Sequence, residues 1–187
     1  MPRFDSSFEF DDIFEPVTEN EIGAFEEAIG CRLPEDYRAF LLAHNGVLFK
    51  DIPYFRLQDE ETEDRPFSSV NLLWSLFRGK PEEPRWFERA QAEAGGRAWE
   101  DLREGGIGLG FKYRVPAGII AIGDNCGNER ICISVAGDDR GCVYLWRPAM
   151  TWEDEPRPTR EELHLVAKSF ADFWNSFLPE DAVDDKY

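Results

Sequence analysis

Apolar positions recur along this chain in two rhythms, a helical one toward both ends and a twofold one in the third quarter. Ile22, Phe25, Ala28 and Ile29 fall on one helical face. Ahead of them Thr18, with Glu21 three residues on, has the form of a capping box, and Val17 and Ile22 are spaced as a hydrophobic staple. Gly30 supplies the left-handed residue that stops this helix. Leu33-Pro34-Glu35-Asp36 opens a second helix, with acids facing the positive end of its dipole. Tyr37, Phe40 and Leu41 form its inward face, and Asn45-Gly46, a pair that tolerates positive φ, ends it.

Residues 47–57 hold enough apolar side chains for one strand, which Pro53 marks as an edge or an irregular start. The next six residues, Asp59, Glu60, Glu61, Thr62, Glu63 and Asp64, cannot pack together and predict a solvated loop. Helical spacing returns over 68–78 through Val70, Leu73, Trp74 and Phe77. Beyond a Pro- and charge-rich stretch, residues 85–104 read as one or two amphipathic helices broken at Gly95-Gly96. A helical insertion is therefore predicted at about 59–112. From Gly118 the rhythm becomes twofold, through Ile119, Ile120 and Ile122, then Ile131, Ile133 and Val135, then Val143, Leu145 and Trp146, with turns at 124–128 and 137–141. These make a three-stranded meander. A last helix is predicted from Thr159, with Glu162 closing a second capping box and Leu163, Val166, Ala167, Phe170, Phe173, Trp174 and Phe177 down one face. The order predicts the α+β class: an antiparallel or mixed sheet with a three-stranded C-terminal meander, backed by N- and C-terminal helices.

Size and composition make this one domain over residues 1–187, with 42% hydrophobic and 14% aromatic residues to build a core. The 21 Lys and Arg against 38 Asp and Glu leave a net charge of −17, which repels nucleic acid and would steer a basic protein partner toward the chain. No segment approaches the roughly 20 apolar residues of a membrane helix, and the start of the chain lacks a cationic stretch followed by an apolar one. A soluble, cytoplasmic protein without membrane contact is expected. Cys31, Cys126, Cys132 and Cys142 contain no CxxC pair and the two histidines lie far from the cysteine cluster, so neither a metal nor a cofactor is expected, and the thiols read as reduced and mostly buried.

Catalytic chemistry finds little support. A nucleophilic hydrolase needs Ser or Cys with a His base, yet there is no G-x-S-x-G elbow, and His44 and His164 both sit where a structural role suffices. Gly105-Gly106-Ile107-Gly108-Leu109-Gly110 follows a helical pattern and carries no P-loop Lys-Ser or Lys-Thr, so it reads as a flexible loop. The 124–128 turn has too few oxygens, wrongly spaced, for an EF-hand. Abundant carboxylates allow a glycosidase-type pair, but so acidic a composition produces such pairs by chance. No catalytic residue is assigned.

The run from Glu21-Ile22 through Gly30, Leu33-Pro34-Glu35-Asp36-Tyr37, Phe40-Leu41 and Asn45-Gly46 resembles the N-terminal signature of the SUKH family, the Smi/Knr-type domain. Ile120-Ala121-Ile122-Gly123-Asp124-Asn125 with Gly127-Asn128 and Ile131-Cys132-Ile133 is similar to its central hairpin, Gly141-Cys142-Val143-Tyr144-Leu145-Trp146 to its next strand, and Ala167-Lys168-Ser169-Phe170-Ala171-Asp172-Phe173 to its closing helix. The resemblance implies an α+β fold that binds a partner and catalyses nothing. Bacterial members of the family often neutralise polymorphic toxins by direct contact, and fungal relatives act in cell-wall and signalling regulation. An immunity protein for a basic toxin is thus the first expectation, with Asp59, Glu60, Glu61, Glu63 and Asp64 as the attracting charge and Trp74 and Trp86 as aromatic anchors. A regulatory or scaffolding module for a host protein is the alternative, and an undetected hydrolase the third.

Overall fold

The computed structural model describes residues 4, 7–14, 16–58, 66–76, 116–125, 129–147 and 160–184. Strand β1 (Phe10–Ile13) precedes helices α1 (Glu19–Ile29) and α2 (Glu35–His44), then strands β2 (Val47–Phe49), β3 (Tyr54–Arg56), β4 (Phe67–Ser69) and β5 (Leu72–Leu73). Strands β6 (Ile119–Asp124), β7 (Arg130–Ser134), β8 (Val143–Trp146) and β9 (Leu163–Ala167) follow, then helices α3 (Phe170–Asn175) and α4 (Asp181–Asp184). Seven strands form one sheet in the order β1-β2-β5-β6-β7-β8-β9, and β3 and β4 form a separate pair. Every pairing is antiparallel among the described residues. The class is α+β, as expected.

Local chemistry sets the helix ends. The Thr18 N–H donates to Glu21 Oε2 at 2.9 Å and the Glu21 N–H to Thr18 Oγ1 at 3.4 Å, the reciprocal bonds of a capping box. Gly30 closes α1 at φ 72°. Ile22 and Phe25 are buried, Ile29 half-buried, and Ala28 exposed, so the inward face of α1 is narrower than its pattern. Arg38 of α2 pairs with Glu26 at 2.9 Å and also with Glu19, tying the two helices together. Asp36 does a second job at the start of α2: its Oδ2 accepts from the Ala171 N–H at 2.9 Å, satisfying an otherwise orphaned donor in the first turn of α3.

An aromatic cluster joins these helices to the sheet. Phe40 lies 4.8 Å from Phe170 and 5.3 Å from Trp174, Tyr37 lies 4.9 Å from Phe170, and Phe49 of β2 reaches Trp174 at 6.0 Å, all measured between ring centroids. Such pairs each add about 0.5–1.5 kcal/mol beyond the area they bury. In the middle of the sheet, five consecutive residues of β6 and four of β7 are buried. Successive strand residues point to opposite faces, so the centre of the sheet is covered on both.

Three expectations need correction. The 47–57 stretch is two strands, because the chain leaves the main sheet after Phe49; Pro53 contributes a carbonyl to the Val70 N–H at 3.0 Å and no amide to any ladder. The helical spacing over 68–78 belongs to β4 and β5 within 66–76, where Val70, Leu72, Leu73, Trp74 and Leu76 are all buried; Phe77 lies outside the described residues, as do 85–104. The last helix does not begin at Thr159, which also lies outside them. Leu163, Val166 and Ala167 are in β9, Ser169 is the N-cap of α3, and Glu162 accepts from Trp146 Nε1 at 2.8 Å. The three-stranded meander is thereby extended to four strands, β6 to β9, and β1 joins the sheet at its other end with no forerunner in the pattern.

Candidate functional site

The described residues on either side of the acidic run pair as a two-stranded stem. Strands β3 and β4 pair through Tyr54 with Ser69, Phe55 with Ser68 and Arg56 with Phe67, and the Leu57 N–H donates to the Pro66 carbonyl at 2.7 Å. The chain between Leu57 and Pro66 therefore leaves and returns at one place. Gln58, the last described residue before the run, lies along β9: its N–H donates to the Leu165 carbonyl at 2.8 Å and its Nε2 to the Val166 carbonyl at 2.8 Å. Phe55 packs edge-on to Phe173 at 5.4 Å, and Tyr54 exchanges both backbone bonds with Leu178 at 2.9 and 2.8 Å. The stem is thus fixed to α3, to the residues after it and to the edge of the sheet.

Glu129 is the polar hub beside this stem. Its Oε2 accepts from Ser68 Oγ at 2.8 Å and from Asn125 Nδ2 at 2.5 Å, while its Oε1 pairs with Arg147 Nε at 2.7 Å. Both charged side chains are less than a fifth exposed, and three segments (β4, the β6–β7 turn and the residue after β8) meet at one carboxylate. One residue before Asn125, Asp124 Oδ2 accepts from Trp74 Nε1 at 3.0 Å. Asn125, just after β6, and Glu129, just before β7, are thus bonded to each other and to Ser68 of β4.

A second carboxylate organises the opposite turn. Asp139, between β7 and β8, accepts from Tyr144 Oη at 2.8 Å and from Arg160 Nη1 at 2.6 Å, with Ser134 Oγ at 3.1 Å. Burial alone would raise its carboxyl, but these hydrogen bonds and the Arg160 charge bring it down to about 2. Burial and the same carboxylate push the Tyr144 phenol up. Beside it, Arg140 Nη2 donates to the Leu33 carbonyl at 2.7 Å and fastens this turn to the loop between α1 and α2. Cys31, Cys132 and Cys142 are free thiols, and burial pushes that of Cys132 up to about 12, far from a reactive thiolate. Cys126 lies outside the described residues. His44 packs its ring on Trp174 at 5.8 Å and sets Nε2 3.2 Å from the Phe4 carbonyl, a structural placement. Among the described residues no group of three or more His, Cys, Asp or Glu could hold a metal ion, and no helix is long and apolar enough to cross a membrane.

The residues singled out for partner binding divide unequally. Asp59, Glu60, Glu61, Glu63, Asp64 and Trp86 lie outside the described residues. Trp74 lies inside them and is completely buried, with its indole N–H bonded to Asp124, so its place in this fold is the core and it presents no ring at the surface. Nothing in the sequence marks Gln58, Ser68, Asn125, Glu129 or Arg147 as the framework of the stem; polar residues of these kinds are common in loops, and only the fold brings residues 61 apart in sequence together.

An antiparallel sheet with helices packed on it, a separate β3–β4 pair and two carboxylate hubs at Glu129 and Asp139 describe an α+β domain. The family model described as the SMI1 / KNR4 family (SUKH-1) matches residues 16–176, and the chain belongs to that family. It is similar to the SPbeta prophage-derived uncharacterized protein YokK of Bacillus subtilis (strain 168), 23% identical over 181 residues that cover 90% of this chain and 79% of that protein. It is also similar to the uncharacterized protein YnaB of the same organism, 35% identical over 81 residues covering 41% of this chain and 54% of that one.

Proposed function

We propose that this chain is a non-enzymatic immunity protein that neutralises a basic toxin by direct contact, with the acidic run on the β3–β4 stem as its attracting surface. Membership of the SMI1 / KNR4 family over residues 16–176 is the observation that carries this reading, since binding is the family's general trade. The net charge of −17 supports a basic partner, because opposite net charges accelerate encounter. Asp59, Glu60, Glu61, Glu63 and Asp64 supply five of those charges from one short segment, whose ends the structure pins at Leu57 and Pro66. Trp86 is retained as an aromatic anchor and Trp74 is withdrawn from that role. The partner is met in the cytoplasm, the compartment that free thiols suit.

A relative carried by a prophage favours an accessory conflict role over a regulatory module for a host protein. The test is co-expression of the chain with the toxin-like protein encoded nearest its gene, scored by growth, together with a pull-down at low and high salt. Rescue of growth and a salt-resistant complex with a basic protein are expected. Rescue that disappears when a single carboxylate is neutralised, accompanied by turnover of the partner, would instead indicate an enzyme; failure to protect against any neighbouring toxin removes the immunity reading.

A further inference from the structure

We infer that the outer edge of β1 is a docking strand, to which a Lys- and Arg-bearing extended segment of a partner adds through main-chain hydrogen bonds. The inference rests on the protein-binding reading above and specifies its mode.

The two edges of the seven-stranded sheet are treated differently. At β9 the Gln58 backbone and side chain lie on the carbonyls of Leu165 and Val166. At the other edge β1 pairs with β2 alone, and no backbone group bonds to its far side among the described residues. Its polar groups can be assigned from the ladder. The Lys50 N–H donates inward to the Glu9 carbonyl at 3.0 Å, whereas the Phe49 N–H turns the opposite way, to the Asn71 carbonyl at 3.0 Å. Phe49 faces Phe10, so the alternation of an antiparallel pair sends the Phe10 N–H and C=O outward. An edge with unpaired donors and acceptors is a template for another strand.

Charge selects the occupant. Glu9, Asp11 and Asp51 are exposed around this edge, and Lys50 is already held by Glu9 at 2.6 Å. A second copy of the chain, itself at −17, would set acids opposite acids across the new pair, which is unfavourable. A strand bearing Lys or Arg meets complementary charge at the same positions. The acids thereby guard the edge against self-association while leaving it open to a basic segment.

The probe is a short dye-labelled peptide of alternating Lys and Val, titrated into the full chain by fluorescence anisotropy, beside the same peptide N-methylated at alternate amides. The methylated peptide keeps the charge and loses the ladder. Binding of the first, about tenfold weaker binding of the second, and slowed hydrogen exchange at the Phe10 amide are expected. The double variant Asp11→Lys with Asp51→Lys, checked for an unchanged urea midpoint, should weaken the first peptide by about tenfold as well. Equal binding of the two peptides means attraction by charge alone and overturns the docking strand, as does tight binding of an alternating Glu and Val peptide. Toxin neutralisation by a chain that binds neither peptide overturns the edge while leaving the protein-binding reading intact.

Discussion

Two side chains, Asn45 and Trp74, show how single residues hold the β5 region that follows the acidic run in sequence. Asn45 adopts φ 50° at the end of α2 and is buried, yet its amide is satisfied in both senses: Oδ1 accepts from the Leu76 N–H at 2.8 Å and Nδ2 donates to the Leu76 carbonyl at 3.3 Å. Gly46, next in the chain at φ 89°, has no room for a β-carbon, which would lie 2.6 Å from the Leu73 carbonyl oxygen and 2.7 Å from the Ser75 nitrogen. The Asn-Gly pair that sequence alone reads as a helix stop is therefore also the seat of the β5 region. Replacing Asn45 by Ala strands both Leu76 groups in the interior and should cost about 1–3 kcal/mol of stability, read from the shift in urea midpoint. Trp74→Ala should cost about 3–5 kcal/mol by the same measurement, as expected for a fully buried ring. Trp74→Phe should lose less but free Asp124 from its indole donor. A Trp74→Ala chain that unfolds at the wild-type midpoint yet loses its partner would return Trp74 to the binding surface.

At the scale of the element, the turn between β7 and β8 is linked to pH through Asp139. Its folded carboxyl sits near 2, below the ordinary value of 3.8. A carboxylate depressed by folding stabilises the native state above its unfolded value, and that stabilisation is lost as pH falls from about 4 toward 2. Arg160 is half exposed, so solvent screens part of the gain and about 1 kcal/mol is expected. Asp139→Asn should flatten the stability profile below pH 4 in urea melts taken at several pH values, leaving the profile above it parallel to wild type and lower.

The same elements explain which parts of the fold were legible. The capping box at Thr18, the Gly30 stop and the β6 to β8 meander follow from rules that act within a few residues, and all are present. Strand β9 obeys a longer-range rule. Val143 pairs with Ala167 and Tyr144 with Leu165, so β9 carries an extra residue at Val166. The bulge leaves Leu163, Val166 and Ala167 buried, which reproduces the i, i+3, i+4 spacing of a helix on a strand. Strand β5 misleads in another way, since neighbouring residues in a strand covered on both faces are all apolar and contain any period one looks for. Strand β1 has the acids Asp11 and Asp12 inside four residues and no alternation to announce it. As for the candidate site, the charge of the acidic run is visible in sequence, but the β3–β4 stem that flanks it is held by tertiary contacts of Gln58, Ser68 and Glu129.

Across the whole molecule, the charge is large and its consequence is kinetic. A domain at −17 draws a basic partner from a distance set by ionic strength, about 10 Å at 0.1 M salt and about 3 Å at 1 M. Once partners touch, main-chain pairing and aromatic burial decide how long the complex lasts, and neither is screened in the same way. The acidic run and the β1 edge therefore predict separable effects. Replacing Asp59, Glu60, Glu61, Glu63 and Asp64 by their amides removes five charges, leaving −12 by subtraction from −17. Association with a basic toxin should slow by about tenfold at low salt, with the difference closing at high salt and dissociation little changed. Stopped-flow mixing across a salt series measures this. A variant whose dissociation rate rises at every salt concentration, with association unaltered, would place the run in the contact itself and take from it the steering role assigned here.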